Sequence, residues 1–256
     1  MESDGRLAYY RAAADDAYWD QHWQAVVSEA HYVDAEAGLL GRFESMFIRW
    51  LPRDGRILEA GCGTGFYLAG LRKRGYDVVG VEWGQATVDA VRQIKPSLPI
   101  QVGDVTQLDE PDGAFAGYIS LGVMEHRQAG PEPFLQEAFR LLRPGGVALI
   151  SVPSMHPLRR IKAKLGGYSA EPNGREFYQY AYPRGVFTRF AELAGFRVVD
   201  AIAYDGYKGI KDELPGSEKV LRLFKKSRWT KRRLERCRFG HMMMFVCEKP
   251  VRREAG

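Results

Sequence analysis

The sequence predicts an α/β fold, built on a mainly parallel sheet covered by helices on both faces. Three observations predict it. Short apolar runs alternate with helical patterns between Arg56 and Val152. A glycine-rich turn, Gly61-Cys62-Gly63-Thr64-Gly65, joins the first apolar run to a helix start. Acids close three successive runs, at Glu59, Glu82 and Asp104. Where strands and helices alternate in this way, ligands bind beyond the carboxyl ends of the strands.

In chain order, residues 7–51 read as helical, a cap without a strand pattern. Tyr9, Tyr10, Tyr18, Trp19 and Trp23 are dense there, and Leu39, Leu40, Phe43, Met46, Phe47 and Trp50 recur on one helical face. The stretch from Tyr9 to Trp23 is a candidate for closing an active site. Ile57–Ala60 reads as strand one. Its following helix runs to Arg72-Lys73-Arg74 and stops at Gly75, since cations in a last turn followed by glycine mark a helix C-terminus. Asp77–Glu82 is strand two. Val88, Val91 and Ile94 mark a helix that Pro96 ends. Ile100–Asp104 is strand three and Tyr118–Gly122 strand four. Phe134, Ala138, Leu141 and Leu142 form a helical stripe, after which Pro144-Gly145-Gly146 turns into strand five, Val147–Val152.

Residues 154–182 read as an insertion at the ligand edge, over the acceptor side. Tyr168, Phe177, Tyr178, Tyr180 and Tyr182 there could pack a flat or lipidic molecule, or only one another. Val186, Phe187, Phe190 and Leu193 give a helix closed by Gly195. Phe196–Tyr204 is strand six and Met242–Cys247 the last strand. The expected domains are therefore a cap at 1–51, a core at 52–153, the insertion at 154–182, and 183–256 as the C-terminal part of the same domain.

Composition narrows the function. The chain has 256 residues, 45% of them hydrophobic, as in an ordinary globular protein. Met1-Glu2-Ser3-Asp4-Gly5 starts no signal peptide, and the apolar run Val147–Val152 is far too short to span a bilayer. Cys62, Cys237 and Cys247 include no C-x-x-C pair, which argues against a disulfide framework or a zinc site and for a reducing cytoplasm. The net charge of +5 is uneven: residues 219–238 hold ten Lys or Arg against Glu235 alone, net +9, which leaves −4 elsewhere. Val220, Leu221, Leu223, Phe224, Trp229 and Leu234 interleave with those cations. Such a segment suits an anionic membrane surface, a nucleic-acid backbone, or a solvated helix on the sheet.

The glycine turn carries the most specific signal. Alternate glycines permit positive φ and a close main-chain approach to a ligand, and the first amides of the following helix are unpaired. A dinucleotide site spaces its glycines as G-x-G-x-x-G, whereas here the spacing is G-x-G-x-G with Glu59 two residues ahead. The run Glu59-Ala60-Gly61-Cys62-Gly63-Thr64-Gly65 resembles the first motif of class I S-adenosylmethionine-dependent methyltransferases. The resemblance covers roughly residues 50–153, and more loosely extends to Cys247. Arg143-Pro144-Gly145-Gly146 is similar to the small-molecule branch that includes quinone-biosynthesis methyltransferases.

That resemblance implies a Rossmann-like, doubly wound sheet of seven strands, mainly parallel, with an antiparallel last strand. It implies S-adenosyl-L-methionine as cofactor and S-adenosyl-L-homocysteine as product. Glu59, Gly61, Cys62, Gly63 and Gly65 would shape the methionine pocket. Glu82 would take the ribose hydroxyls, for which a carboxylate is a bidentate acceptor. Asp104 and Val105 would flank the adenine. Trp83 stands where Asp or Ser is commoner in the family, so stacking near the adenine would differ. Leu121 and Gly122, leading into Val123-Met124-Glu125-His126, would line the methyl-donor pocket. No metal is required.

His126 is the candidate general base, because an imidazole titrates near neutral pH; it could equally cap a turn or pack on the cofactor. The leading expectation is a cytoplasmic methyltransferase acting on a small-molecule or lipid-linked acceptor, with residues 219–238 in possible peripheral contact with the inner face of the membrane. The alternatives are an RNA methyltransferase using that basic segment, and a non-catalytic cofactor-binding scaffold. Amino-methylating nucleic-acid enzymes of the fold carry an Asn/Asp-Pro-Pro-aromatic run where this chain has Leu121-Gly122-Val123-Met124.

Overall fold

The structure, a computed structural model, describes residues 1–11, 23, 26–168, 174–214, 216–217, 219 and 237–251. Tyr18, Trp19 and residues 220–236 of the basic segment lie outside the described residues.

The chain begins with β1 (Leu7–Arg11), α1 (Glu29–Glu36) and α2 (Glu44–Trp50). The core follows as β2 (Ile57–Ala60), α3 (Phe66–Lys73), β3 (Val78–Glu82), α4 (Gln85–Ile94), β4 (Ile100–Val102), β5 (Phe115–Leu121), α5 (Glu132–Leu141) and β6 (Leu142–Pro153). The remainder is α6 (Pro157–Lys164), β7 (Glu176–Ala181), α7 (Arg184–Leu193), β8 (Arg197–Tyr204), α8 (Gly206–Glu213) and β9 (Met242–Glu248). Seven strands form one sheet in the order β4-β3-β2-β5-β6-β9-β8. All its pairings are parallel except those of β9, which runs antiparallel to both β6 and β8. This is the expected doubly wound topology. The strand order reverses between β2 and β5, so the crevice lies beyond their carboxyl ends.

Alternation along the strands buries both faces. Tyr118, Ala148, Ile150 and Phe245 pack with Leu135, Ala138 and Phe187 of α5 and α7. Ile119, Leu149, Met244 and Val246 pack with Phe47, Leu68, Leu71, Val88 and Val91 of α2, α3 and α4. The α3 stop falls as the sequence indicates, with Arg74 as cap and Gly75 at φ +80°.

Two expectations need correction. The N-terminal part is not wholly helical: β1 pairs antiparallel with β7, Leu7 opposite Ala181 and Arg11 opposite Glu176. Leu7-Ala8-Tyr9-Tyr10-Arg11 has no local feature that reveals a partner in the distant insertion, so only tertiary pairing makes it a strand. Pro144-Gly145-Gly146 does not precede strand five but lies inside β6. Register shifts there from Phe115–Leu142 to Gly117–Val147, with Gly145 at φ +79°, so the run forms a bulge in a longer strand. The described residues of 154–182 include α6 and β7.

Candidate active site

Gly61, Gly63 and Gly65 adopt φ of +72°, +53° and +69°, which side chains rarely tolerate. Space forbids a side chain as well. A Cβ on Gly61 would collide with the Val123 side chain, and one on Gly65 would lie 2.9 Å from Leu98 Cδ2. At Gly63 it would lie 3.1 Å from the Trp23 ring. Gly61 and Cys62 both donate their amides to Val81 O, at 2.8 and 3.0 Å, which ties the loop to β3.

Glu82, at the end of β3, accepts from Gly63 N at 2.8 Å through Oε2 and from Gly84 N at 3.2 Å through Oε1. Each carboxylate oxygen keeps a further acceptor position. Glu59 is buried, and Oε2 has no hydrogen-bond partner. Burial, and then the neighbouring Glu82, push its carboxyl up to about 8, opposed by a main-chain hydrogen bond from Leu68. The Cys62 thiol is raised well above its usual value, chiefly by burial; it packs within the core and is not a nucleophile.

The loop is also held from the N-terminal side. Tyr32 donates its hydroxyl to Thr64 O at 2.5 Å, and His31 Nε2 is 2.8 Å from Thr64 Oγ1. Ser28 caps α1 and so fixes these two residues. Sequence reasoning did not single out His31 or Tyr32, since no local signal links a helical His-Tyr pair to a turn thirty residues on. Trp23, by contrast, falls within the segment expected to close the site and does meet Gly63.

The next strand ends carry the remaining candidates. Trp83 is 56% exposed at the rim. Asp104 Oδ1 accepts from Thr106 N at 2.8 Å and Thr106 Oγ1 at 2.7 Å, so it organises its own turn, with Val105 buried beside it. Gly122, at φ +75°, donates to Ser151 O at 2.9 Å and lets the chain leave β5, beyond Leu121, toward Val123. His126 follows. Its Nδ1 is 2.7 Å from the Tyr178 carbonyl, which can only accept, so Nδ1 carries the proton and Nε2 the lone pair. Burial lowers its titration to about 4. Glu125 Oε1 is 3.9 Å from Nε2, and burial pushes that carboxyl up to about 8. At neutral pH both groups are therefore uncharged.

The insertion aromatics divide. Tyr180 and Tyr182 are buried with Phe187 in the main core, Phe177 packs on Tyr10, and Tyr178 meets His126. Phe177 and Tyr178 are half-buried, and Tyr168 packs edge to face on Tyr9. A second group surrounds Arg159: Glu213, His156, His241 and Ser154, all buried at the carboxyl edge of β6.

A family described as "Methyltransferase domain" matches residues 31–201, two-thirds of the chain. The chain belongs to the class I S-adenosylmethionine-dependent methyltransferases. It is 33% identical over 149 residues to an S-adenosylmethionine-dependent methyltransferase of Mycolicibacterium smegmatis, covering 57% of this chain and 53% of that one, so it spans about half that relative's length. It is 26% identical over 188 residues to a ubiquinone biosynthesis O-methyltransferase of Pseudomonas aeruginosa, covering 67% and 72%. Among solved structures, the Haloferax volcanii complex of the Trm112 methyltransferase activator with a methyltransferase matches at TM-score 0.59 and 16% identity, covering 93% of this chain and 97% of that one. At that identity the likeness speaks to fold alone.

The residues of this family member fit its cofactor. The unpartnered, buried Glu59 oxygen suits an ammonium, whose charge would return the carboxyl to its ionised form. Glu82 retains acceptor positions for hydroxyls, and the glycine loop leaves its main chain uncovered by side chains of its own. Among the described residues no helix is long and apolar enough to cross a membrane.

Proposed function

We propose that this chain moves the methyl group of S-adenosylmethionine to an oxygen of a small-molecule or lipid-linked acceptor. The observation that carries the donor half is the pairing of Gly63 N with Glu82 beside the unpartnered Glu59 Oε2. The acceptor half is supported by the name of the Pseudomonas relative and by the neutral His126 imidazole.

The sulfonium of the cofactor supplies an already activated methyl. The chain's own residues have to hold donor and acceptor in line, exclude water and accept a proton. His126 would accept the acceptor's hydroxyl proton at Nε2, with Tyr178 O fixing the tautomer. Tyr32, His31 and Trp23 would keep the loop rigid and shielded. Glu59 would neutralise the ammonium of the donor and Glu82 would hold its ribose. Asp104 and Val105 would bound the base.

The test is a screen for S-adenosylhomocysteine release against quinones, phenols, sugars and lipid extracts. Methylation of a hydroxyl is the expected result. Turnover only on RNA would transfer the reading to nucleic acid, and donor binding without turnover on any class would leave a scaffold. Contact with an anionic membrane through residues 219–238 rests on sequence alone. Neutralising Lys225, Lys226, Arg232 and Arg233 should abolish binding to anionic vesicles, and unchanged binding would reject that contact.

A further inference from the structure

The cluster around Arg159 lies outside the donor site and the proton-accepting pair. Arg159 is 2% exposed. It donates from Nε to Glu213 Oε1 at 3.0 Å, from Nη1 to Ser154 O at 2.7 Å, and from Nη2 to His241 Nδ1 at 3.1 Å. Glu213 also takes the Tyr168 hydroxyl and pairs with Lys162 at 3.1 Å. Tyr9 of β1 stacks on the cluster, its ring 5.5 Å from the guanidinium and 5.8 Å from the Tyr168 ring. Every element involved reaches the same edge of the sheet. Ser154 and His156 follow β6, His241 precedes the antiparallel β9, and α8 follows β8. The end of β6 adjoins the end of β5, where Leu121 pairs with Ser151. The cluster therefore lies at the end of the strand next to β5, which leads into the segment that carries His126.

Two buried side-chain atoms here make no hydrogen bond among the described residues, Tyr9 Oη and His156 Nε2. His156 is 2% exposed, and its Nδ1 accepts from Arg159 N at 3.4 Å, capping α6. Nδ1 is thus the lone-pair nitrogen, and Nε2 carries the proton. That N–H is buried and makes no hydrogen bond among the described residues. Leaving a buried donor unmatched is costly, so this N–H calls for a partner from outside the chain. A buried ion pair beside it is equally hard to explain by stability alone.

We propose that this cluster is a second polar subsite, in which His156 Nε2–H donates to an uncharged oxygen of the acceptor, such as a carbonyl. The proposal rests on the acceptor reading above. An anion is disfavoured because Arg159 is already matched by Glu213, whose carboxylate would repel a second negative charge. The ring itself is neutral, since burial and Arg159 lower its titration to about 4. A neutral N–H donor without a mobile countercharge matches a neutral oxygen, and the Tyr9 and Tyr168 rings, packed edge to face, flank the cluster.

The test uses the full chain labelled with ¹⁵N, with and without S-adenosylhomocysteine, and follows the imidazole N–H signals. His156→Asn identifies the His156 signal by its loss. Asn is a good helix cap, so the α6 cap is kept while the Nε2 donor disappears. The probes are para-hydroxyacetophenone and para-ethylphenol, alike except for the carbonyl. The ketone should shift the His156 signal to saturation and ethylphenol should not. His156→Asn should weaken ketone binding by about tenfold, with Tm and ethylphenol affinity unchanged. Absence of a His156 shift with the ketone overturns the proposal, as does an equal shift with both probes. A fall in Tm with ketone affinity intact makes the cluster structural and also overturns it. Calorimetry with S-adenosylhomocysteine separately decides the donor reading, and the probe titration is read whichever way that falls.

Discussion

The two halves of the crevice are built by different means. On the donor side, β2, β3 and the turn between β2 and α3 place Glu59, three glycines and Glu82 within one short stretch of chain. On the side proposed for the acceptor, Tyr9, His126, His156, Arg159, Glu213 and His241 come from nearly the whole length of the sequence. The donor half depends on backbone conformation, with positive φ at each loop glycine. The acceptor half depends on buried side chains that satisfy one another. A fault in the first should destroy ligand affinity and spare the fold, whereas a fault in the second should weaken the fold and spare donor affinity.

The sharpest break of this contrast is Gly63→Arg. The residue sits at φ +53°, donates to Glu82, and faces the Trp23 ring. An arginine there fills the turn, so affinity for S-adenosylhomocysteine should fall by about a hundredfold or more, as expected for a loss of roughly 3 kcal/mol. Calorimetry reads it, and retained affinity would contradict the assignment of the loop. A comparable break is Arg159→Met, which leaves Glu213 buried and unpaired apart from Lys162 and Tyr168. Removing one partner of a buried pair costs about 3–5 kcal/mol, so denaturant unfolding should show a loss of that order while donor affinity per folded molecule stays unchanged. Equal damage to both properties would mean that the halves are coupled.

That contrast also explains what could be read in the sequence. The β2–β6 core, the helix stops at Gly75 and Gly195, and the glycine loop follow from local rules of periodicity and backbone freedom. The positions of Glu59 and Glu82, at strand ends beside that loop, were legible because each closes an apolar run next to the glycines. His31 and Tyr32 were not, because their contact with Thr64 depends on how α1 packs against α3. The β1 strand was hidden for the same reason, as its partner β7 lies at the far side of the core sequence. The Arg159 cluster was the least legible. Ser154, His156 and Arg159 look like loop residues until β9 brings His241, and α8 brings Glu213, against them.

A smaller, pH-dependent effect separates the two buried carboxyls. Glu59 and Glu125 are both raised to about 8 by burial. In the unfolded chain each ionises near pH 4.3. Below that pH both states bind the proton and neither group alters stability with pH. Above it the unfolded chain releases the proton while the folded chain retains it, so stability falls by about 1.4 kcal/mol per pH unit and group until the folded value is reached. Glu125→Gln should therefore gain in Tm relative to the native chain from pH 5 to pH 8, and parallel curves would disprove the burial argument. Saturating S-adenosylhomocysteine should flatten the share belonging to Glu59, by bringing an ammonium to it, and leave that of Glu125 intact.

A further effect concerns His126. Its Nδ1–H is held by Tyr178 O, and burial outweighs that bond in setting its titration. The ring should keep its proton on Nδ1 and stay neutral from pH 8 down to pH 5.5, which imidazole chemical shifts would show as a flat line. Loss of the lone pair only near pH 4 means that a base at Nε2 imposes no pH dependence on methyl transfer across the neutral range. His126→Gln should then lower kcat by a constant factor, of the order of a hundredfold for a lost general base, without moving the pH profile between 6 and 8. A titration near pH 6.5 would instead mean that the Tyr178 contact opens in solution, and would place His126 with the loosely held parts of the acceptor side.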